Sequence, residues 1–562
     1  MRMILNSGST ISNSSGQMDS ITVEEALLPV FDIQQNTELF NQEADLSLFA
    51  YLIFVAFSIV LGSFQCGYHM GEMNIPQRII SCEPIPSDDS STSINDYTLP
   101  SCIPMTQTQY SLVTSIFNLG GLLGSLMASR IADNKGRRWA LLVNCVFFAV
   151  GPTVMGFAKN YGELIFGRVL VGIGSGVVLV VVPMYLIEIS PINYRGVFGV
   201  TNQLGLVLGI LFSQIQGLYL SSVPGWRVIF LSATAISIIQ FVFLQFAVES
   251  PRYLLSKPAG YNSAKKTLQL LRGDLDVNEE IQRWKQVDTE EETGNLIPVN
   301  KGEEDEEIDV IADVNNHHTI SSQQNDNSGE ISASLNENAP QVVFHAHNPN
   351  ENFNIYKFIT SVHYRPALYV VLLLLITQQF SGINAVIFYS TEILAKIFPT
   401  SSRAITVFIS IVNTIMTLVS AALIEKSGRR KLLLYSISSM SLSSTVLALS
   451  INHNWGFLAA FSIIAFVASF AVGLGPIPFL IIPEIVDTTA AATASSLGLS
   501  LNWMANFFVG FTFLIVREIL GGSVFFIFTI YLLFAFYLTR LLVPETKGKT
   551  VEEVWFGWIE RM

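Results

Sequence analysis

The sequence predicts an all-α membrane protein of twelve transmembrane helices in two six-helix halves. Three observations predict it. Half of the 562 residues are hydrophobic and only 13% are charged, where a soluble chain carries about a quarter charged residues. Twelve apolar windows are long enough to cross a bilayer as helices. Three polar signatures between those windows occur twice, in the same order and at nearly one spacing.

The windows lie at 48–71, 109–130, 139–158, 163–186, 198–220 and 228–248, then 367–391, 404–424, 433–451, 457–482, 491–516 and 523–543. Glycine and proline inside several of them are tolerated where neighbouring helices satisfy the freed backbone groups. Connections bearing Arg130, Lys135, Arg137, Arg138, Arg195, Lys426, Arg429, Arg430 and Lys431 alternate with connections poor in basic residues. Basic loops stay in the cytosol, which places both termini there. The predicted division is a tail at 1–47, a six-helix half at 48–248, a central loop at 249–364, a second half at 365–543 and a tail at 544–562. The first 45 residues are polar and lack the basic n-region of a signal peptide, so the first window is expected to be an uncleaved anchor. No lipidation site is expected, since Arg2 follows Met1 and no prenylation box closes the sequence. Much of the net charge of −13 comes from Glu290 to Asp313 in the central loop. That loop reads as short amphipathic helices from Ser263 to Trp284 and as a disordered, solvated spacer from about 289 to 352. Its charge therefore says little about partners, and nucleic acid is not expected.

The repeat sets the architecture. Asp133-Asn134-Lys135-Gly136-Arg137-Arg138 follows the second window, and Glu425-Lys426-Ser427-Gly428-Arg429-Arg430 follows the eighth, a shift of 292 from position 133 to 425. Glu188-Ile189 recurs as Glu484-Ile485, a shift of 296 from 188 to 484. Glu249-Ser250-Pro251-Arg252 is echoed by Glu545-Thr546-Lys547, again 296 from 249 to 545. Duplicated transporters place their substrate site between the repeats, near the midplane. The acid–Gly–Arg–Arg turns are expected to gate the passage, their arginines pairing with acids to hold the halves together at the cytosolic rim.

At these residues the chain resembles the sugar-porter branch of the major facilitator superfamily, and within it the animal facilitative glucose transporters. The likeness rests on Gly167-Arg168, Pro183-Met184-Tyr185, Glu188-Ile189-Ser190-Pro191 with Arg195-Gly196, Asn202-Gln203-Leu204-Gly205, Gln378-Gln379-Phe380-Ser381-Gly382-Ile383-Asn384-Ala385, Gly475-Pro476-Ile477-Pro478 and Pro544-Glu545-Thr546-Lys547-Gly548. It runs from about Tyr51 to Trp558 and implies the major facilitator fold. It also implies gating by Asp133, Arg137, Arg138, Arg168, Glu188, Arg195, Arg252, Glu425, Arg429, Arg430 and Glu484.

A sugar is an uncharged ring of hydroxyls, each a donor and an acceptor, and side-chain amides match that chemistry. Gln378, Gln379 and Asn384 lie in the seventh window around Gly382, which can interrupt the helix as transport sites require. By resemblance these three, with Gln203 in the fifth window, Asn413 in the eighth and Asn502-Trp503, assigned to the tenth, contact the sugar, and Leu206 and Ile210 form its apolar lining. Taken singly, an amide in a membrane helix commonly joins a neighbouring helix instead.

The expected cargo is a hexose moved down its gradient. Ala471 stands where glucose-selective members carry a glutamate, Phe479 where they carry a tryptophan, and Phe388 where they carry a tyrosine. Those departures leave room for fructose or a broader hexose range. Asp487-Thr488-Thr489-Ala490 lacks the family's arginine, which implies a weaker inner gate. Proton-coupled relatives carry an aspartate after Gly-Tyr, where this chain has His69. Without a buried carboxylate to load and release a proton, uniport is expected, with His69 a packed polar residue and Glu72 at the outer mouth. The alternatives are a proton symporter and a sugar sensor signalling through its long cytosolic loop. No nucleophile with a base, phosphate loop or metal cluster indicates an enzyme or a cofactor. Five histidines (His317, His318, His345, His347, His363) fall in the central loop without ligand spacing. Cys82 and Cys102 share the first outer loop and are expected to form a disulfide. Asn13-Ser14-Ser15 is a sequon on the cytosolic side, so no glycan is expected there.

Overall fold

The computed structural model describes residues 50–83, 99–191, 194–258, 260–273, 276–284, 355–486, 488–549 and 551–559. The N-terminal tail, the acidic run Glu303 to Glu307, Asp487 and every central-loop histidine but His363 lie outside the described residues, as do the side chains of Arg195 and Glu425.

Among the described residues, eleven helical runs are long and apolar enough to cross a membrane. The last, Thr493–Leu542, has 50 residues. At 1.5 Å per residue it would reach about 75 Å, far more than a bilayer core of ~30 Å. The 3₁₀ turn Gly521–Ser523 divides it in two, which gives the twelve helices predicted. They are α1 (Ala50–Gly71), α2 (Gln107–Lys135), α3 (Arg137–Gly156), α4 (Tyr161–Ile189), α5 (Arg195–Leu220) and α6 (Gly225–Phe246) in the first half. The second half holds α7 (Arg365–Ala395), α8 (Ser402–Ser427), α9 (Arg429–Asn452), α10 (Gly456–Ile485), α11 (Thr488–Leu520) and α12 (Val524–Leu542). Asn502 and Trp503 therefore belong to the eleventh helix, not the tenth, because α10 stops at Ile485 and the chain restarts at Thr488.

The halves meet along two seams, α2 against α11 and α5 against α8. On the first seam Gly121 of α2 lies directly under the Trp503 ring of α11, where a Cβ would come within 2.7 Å of it. Two helices are broken. Gly382 adopts φ +91° and interrupts α7 after Phe380, a left-handed conformation that glycine takes without penalty. α10 breaks between Val472 and Ile477, at Gly473-Leu474-Gly475-Pro476. Short helices Pro251–Leu255, Tyr261–Arg272, Ile355–Thr360 and Val551–Ile559 lie outside the spans. Residues 278–353 form a separate unit, described over 278–284, where it is helical.

Candidate functional site

The three repeated signatures converge within each half. Gly136 turns the chain from α2 into α3 at φ +104°. The Glu249 carboxylate sits where a Cβ on residue 136 would stand, and accepts the backbone N–H groups of Arg137 (2.8 Å) and Arg138 (3.0 Å). An anion at a helix N-terminus is stabilised by the unpaired N–H groups there. The Arg137 guanidinium reaches Glu188 with two bonds of 3.0 Å and Asp133 at 3.2 Å. Arg138 donates to the carbonyls of Leu244 and Gln245 at the end of α6. The second half repeats this. Gly428 has φ +88° beside Glu545, Glu545 accepts Arg429 N–H at 2.8 Å, and Arg429 grips Glu484 at 2.8 and 3.1 Å. Arg430 donates to the Arg540 carbonyl.

The pairs expected to hold one half to the other at the cytosolic rim while the passage opens outward are not those seen in this state. The Arg137–Glu188 and Arg429–Glu484 pairs each close within one half, because the acid is supplied by the fourth or tenth helix of that half. The network locks the helix ends of a half into one body. Arg252 is exposed on its short helix.

Arg168 lies within α4, in the span where its motif falls. It is fully buried inside the first half. Its Nη1 donates to the His69 carbonyl (2.6 Å) and to Glu72 (3.0 Å), its Nη2 to the Thr114 carbonyl (3.1 Å), and its guanidinium lies 4.6 Å from the Phe117 ring centre. Glu72, expected at the outer mouth, is 1% exposed. The last turn of α1, closed by Glu72 N–H on the Tyr68 carbonyl, turns its carboxylate inward onto Arg168 and, at 3.1 Å, His69 Nδ1. An unpaired buried Arg168 would be costly, and the pair resolves that.

The amides of α7 and α11 form one network. The break in α10 frees two carbonyls, and Gln378 Nε2 donates to both, Leu474 at 3.1 Å and Gly475 at 2.8 Å. Gln378 Oε1 accepts from Asn502 Nδ2 at 2.8 Å. Gln379 Nε2 donates to Asn502 Oδ1 at 2.9 Å, and Gln379 Oε1 accepts from Asn384. Gln378, Gln379, Asn384 and Asn502 are thus brought together. Trp503 is buried beside them with its indole N–H unpartnered, its ring edge-on to Phe117 across the seam. Gln203 and Leu206 are half-buried on α5, outside this network.

A cavity shared by the halves begins at Val386, two residues along α7 from Asn384, and none of the four amides lines it. Ile210 and Gln214 of α5 line it from one side; Val386, Ile387 and Ser390 of α7, Ile409, Ser410 and Asn413 of α8, and Val467 of α10 line it from the other. Asn74 also lines it. It has room for about one water-sized group, far short of the ~300–1,000 Å³ usual for small-molecule sites. Of the predicted contacts, Ile210 and Asn413 face this cavity.

The halves are also tied together at the cavity's Asn74 edge. There Asn74 donates to the Ile387 carbonyl (2.7 Å) and Ser390 Oγ (2.8 Å) and accepts from Thr391 N–H (3.1 Å). Arg78 makes a two-bond ion pair with Glu392, at 2.9 and 3.2 Å. Those bonds to Glu392 hold the Arg78 guanidinium above its ordinary pKa. Nearby, burial pushes the Glu83 carboxyl up, and the charge of Glu392 adds to it. Asn74, Arg78, Gln214 and Glu392 were missed from sequence. They have no counterpart in the repeat, although an acid and a base beside opposite spans, on the side poor in basic residues, were a usable signal. Among the described residues no cluster of His, Cys, Asp or Glu could hold a metal ion.

Comparison with known proteins gives this architecture its relatives. The family model "Sugar (and other) transporter" matches residues 55–302 and 296–558. The "Probable metabolite transport protein YBR241C" of Saccharomyces cerevisiae is 34% identical over 89% of this chain and 93% of its own length. The sheep (Ovis aries) facilitated glucose transporter member 3 of solute carrier family 2 is 32% identical over 90% of this chain and 92% of its own. The Escherichia coli xylose transporter XylE, in a partially occluded inward-open conformation, superposes with a TM-score of 0.65 at 20% identity, covering 89% of this chain and all of that one. At that identity it speaks for the fold. Both halves of the chain carry the family's pattern and the fold matches, so the protein is a multi-pass membrane transporter, not an enzyme, and belongs to the sugar porter family of the major facilitator superfamily.

Proposed function

We propose that this transporter carries hexoses down their gradient by alternating access in the plasma membrane, with both termini and the Gly-Arg-Arg turns in the cytosol. The observation that carries the reading is a shared, uncharged recognition surface. Four amides on two broken or adjoining helices bond one another, and a cavity to which both halves contribute begins at Val386, two residues along α7 from Asn384. Each amide can exchange a partner amide for a sugar hydroxyl without leaving a charge stranded. Trp503 offers a ring face and a free N–H to the same ligand. In this arrangement the outer side is latched by Asn74 and by Arg78–Glu392. Opening outward breaks that latch while the Arg137–Glu188–Glu249 and Arg429–Glu484–Glu545 locks keep each half intact. Ala471 leaves the site without an acid, which suits fructose as well as glucose.

One observation favours a second reading. The buried Glu72, held by Arg168 and His69, is an intramembrane carboxylate of the kind proton symporters use. Counterflow in liposomes, with glucose, galactose, fructose and inositol side by side, tests the proposal. Uniport predicts hexose exchange that persists when the proton gradient is collapsed. A hexose gradient driven uphill by imposed acid outside establishes coupling instead. Binding without counterflow leaves a sensor.

A further inference from the structure

The cavity has one polar wall that the amide network does not use. Gln214 follows Ile210 by one turn on α5 and is 1% exposed. Its Nε2 is pinned to the Gly71 carbonyl at 3.2 Å. Its Oε1 is buried without a hydrogen-bond partner, in a side chain that lines the cavity. A buried acceptor left unpaired is costly, and with the amide nitrogen committed it cannot be relieved by turning the amide over. Facing it from the other half is Asn413, whose side-chain amide makes no hydrogen bond among the described residues. In this state the whole cavity they line is too small for a ring and admits about one water-sized group.

We propose that Gln214 is a specificity-determining residue: its Oε1 accepts a hydrogen bond from one projecting hydroxyl of the sugar, which Asn413 meets from the opposite half. The inference rests on the hexose reading above and deepens it. The ring lies toward Trp503 and the amide network, and a single hydroxyl reaches into the Gln214–Asn413 recess. A sugar lacking that hydroxyl leaves the acceptor unpaired, the situation in which polar sites discriminate most strongly. The recess also gives the bound sugar a grip on both halves at once, through α5 and α8.

The test is counterflow in liposomes with glucose and each of its monodeoxy analogues, comparing wild type with Gln214→Met. The variant keeps the side chain's length and removes the acceptor. The expected result is that glucose exchange below saturation falls about tenfold in the variant. One monodeoxy analogue, already about tenfold poorer in wild type, is carried equally by both proteins. That analogue is the internal control for folding and insertion. A uniform loss across all the sugars, or unchanged glucose exchange, overturns the inference; either is what a water-filled or purely structural Gln214 gives. Wild type that exchanges no hexose fails the hexose reading itself and the inference with it, whereas glucose exchange indifferent to Gln214 fails the inference alone.

Discussion

Replacing Glu392 by glutamine tests whether the outer side is latched by the Arg78 pair. Two charge-assisted bonds are lost, and such bonds contribute about 1.5–3 kcal/mol. The carboxylate is nearly buried at 8% exposure, while Arg78 keeps 27% and can regain water once released. The cost therefore falls near the lower end, about 1.5 kcal/mol, or roughly a tenfold shift toward the outward-open state. The three hydrogen bonds of Asn74 remain, so closure is weakened and not abolished. A cysteine placed at Ser410, inside the cavity, reports the change by its rate of labelling with an impermeant thiol reagent added outside. The native Cys66 and Cys145 are buried, and the reagent's background is measured without the added cysteine. Labelling rises about tenfold in Glu392→Gln and in Arg78→Gln, and the double variant matches either single one. An unchanged rate, or single effects that add, refutes the latch.

Other predictions follow from the same contacts. Gly136→Ala places a Cβ against Glu249 at φ +104° and lowers thermal stability by more than ~1 kcal/mol; Gly428→Ala does the same in the other half, read by unfolding in detergent. Glu72→Gln strands the buried Arg168 and costs about 3–5 kcal/mol, and Glu72→Gln with Arg168→Met recovers part of it; equal losses in single and double variants argue against the pair. Cys82 and Cys102 are recovered as one linked peptide under non-reducing mass spectrometry, and replacing both by serine lowers stability by about 3 kcal/mol for this 20-residue separation.

Much of the fold was legible in the sequence, because spans obey a length and composition rule that lipid imposes segment by segment. The repeat was legible for a related reason. Gly136 and Gly428, Glu249 and Glu545, and Arg137 and Arg429 each need one residue type at one place, so duplication leaves them visible. The partner of each arginine was not legible, since spacing shows that Arg137 and Glu188 recur as Arg429 and Glu484 but not that they meet across two helix ends. Gln378 shows the limit for the site. Its place beside Gly382 marked it for sugar, yet in this state its Nε2 satisfies the carbonyls freed by the break in α10, a partner 96 residues away that no local pattern reveals. Glu72 was misplaced because the end of a span was read as an exit to water, and a closing turn can point the last side chain back inside.

The central claim is that the Gln378–Gln379–Asn384–Asn502 cluster is where sugar is held. Equilibrium binding of radiolabelled glucose and fructose to the purified transporter, in wild type, Gln379→Ala and Asn502→Ala, addresses it without relying on transport. The account predicts saturable binding of at least one of the two sugars in wild type and a loss of tenfold or more in both variants, with melting temperatures close to wild type. Undiminished affinity in folded Gln379→Ala and Asn502→Ala would show that these amides only join helices, and that the sugar sits elsewhere.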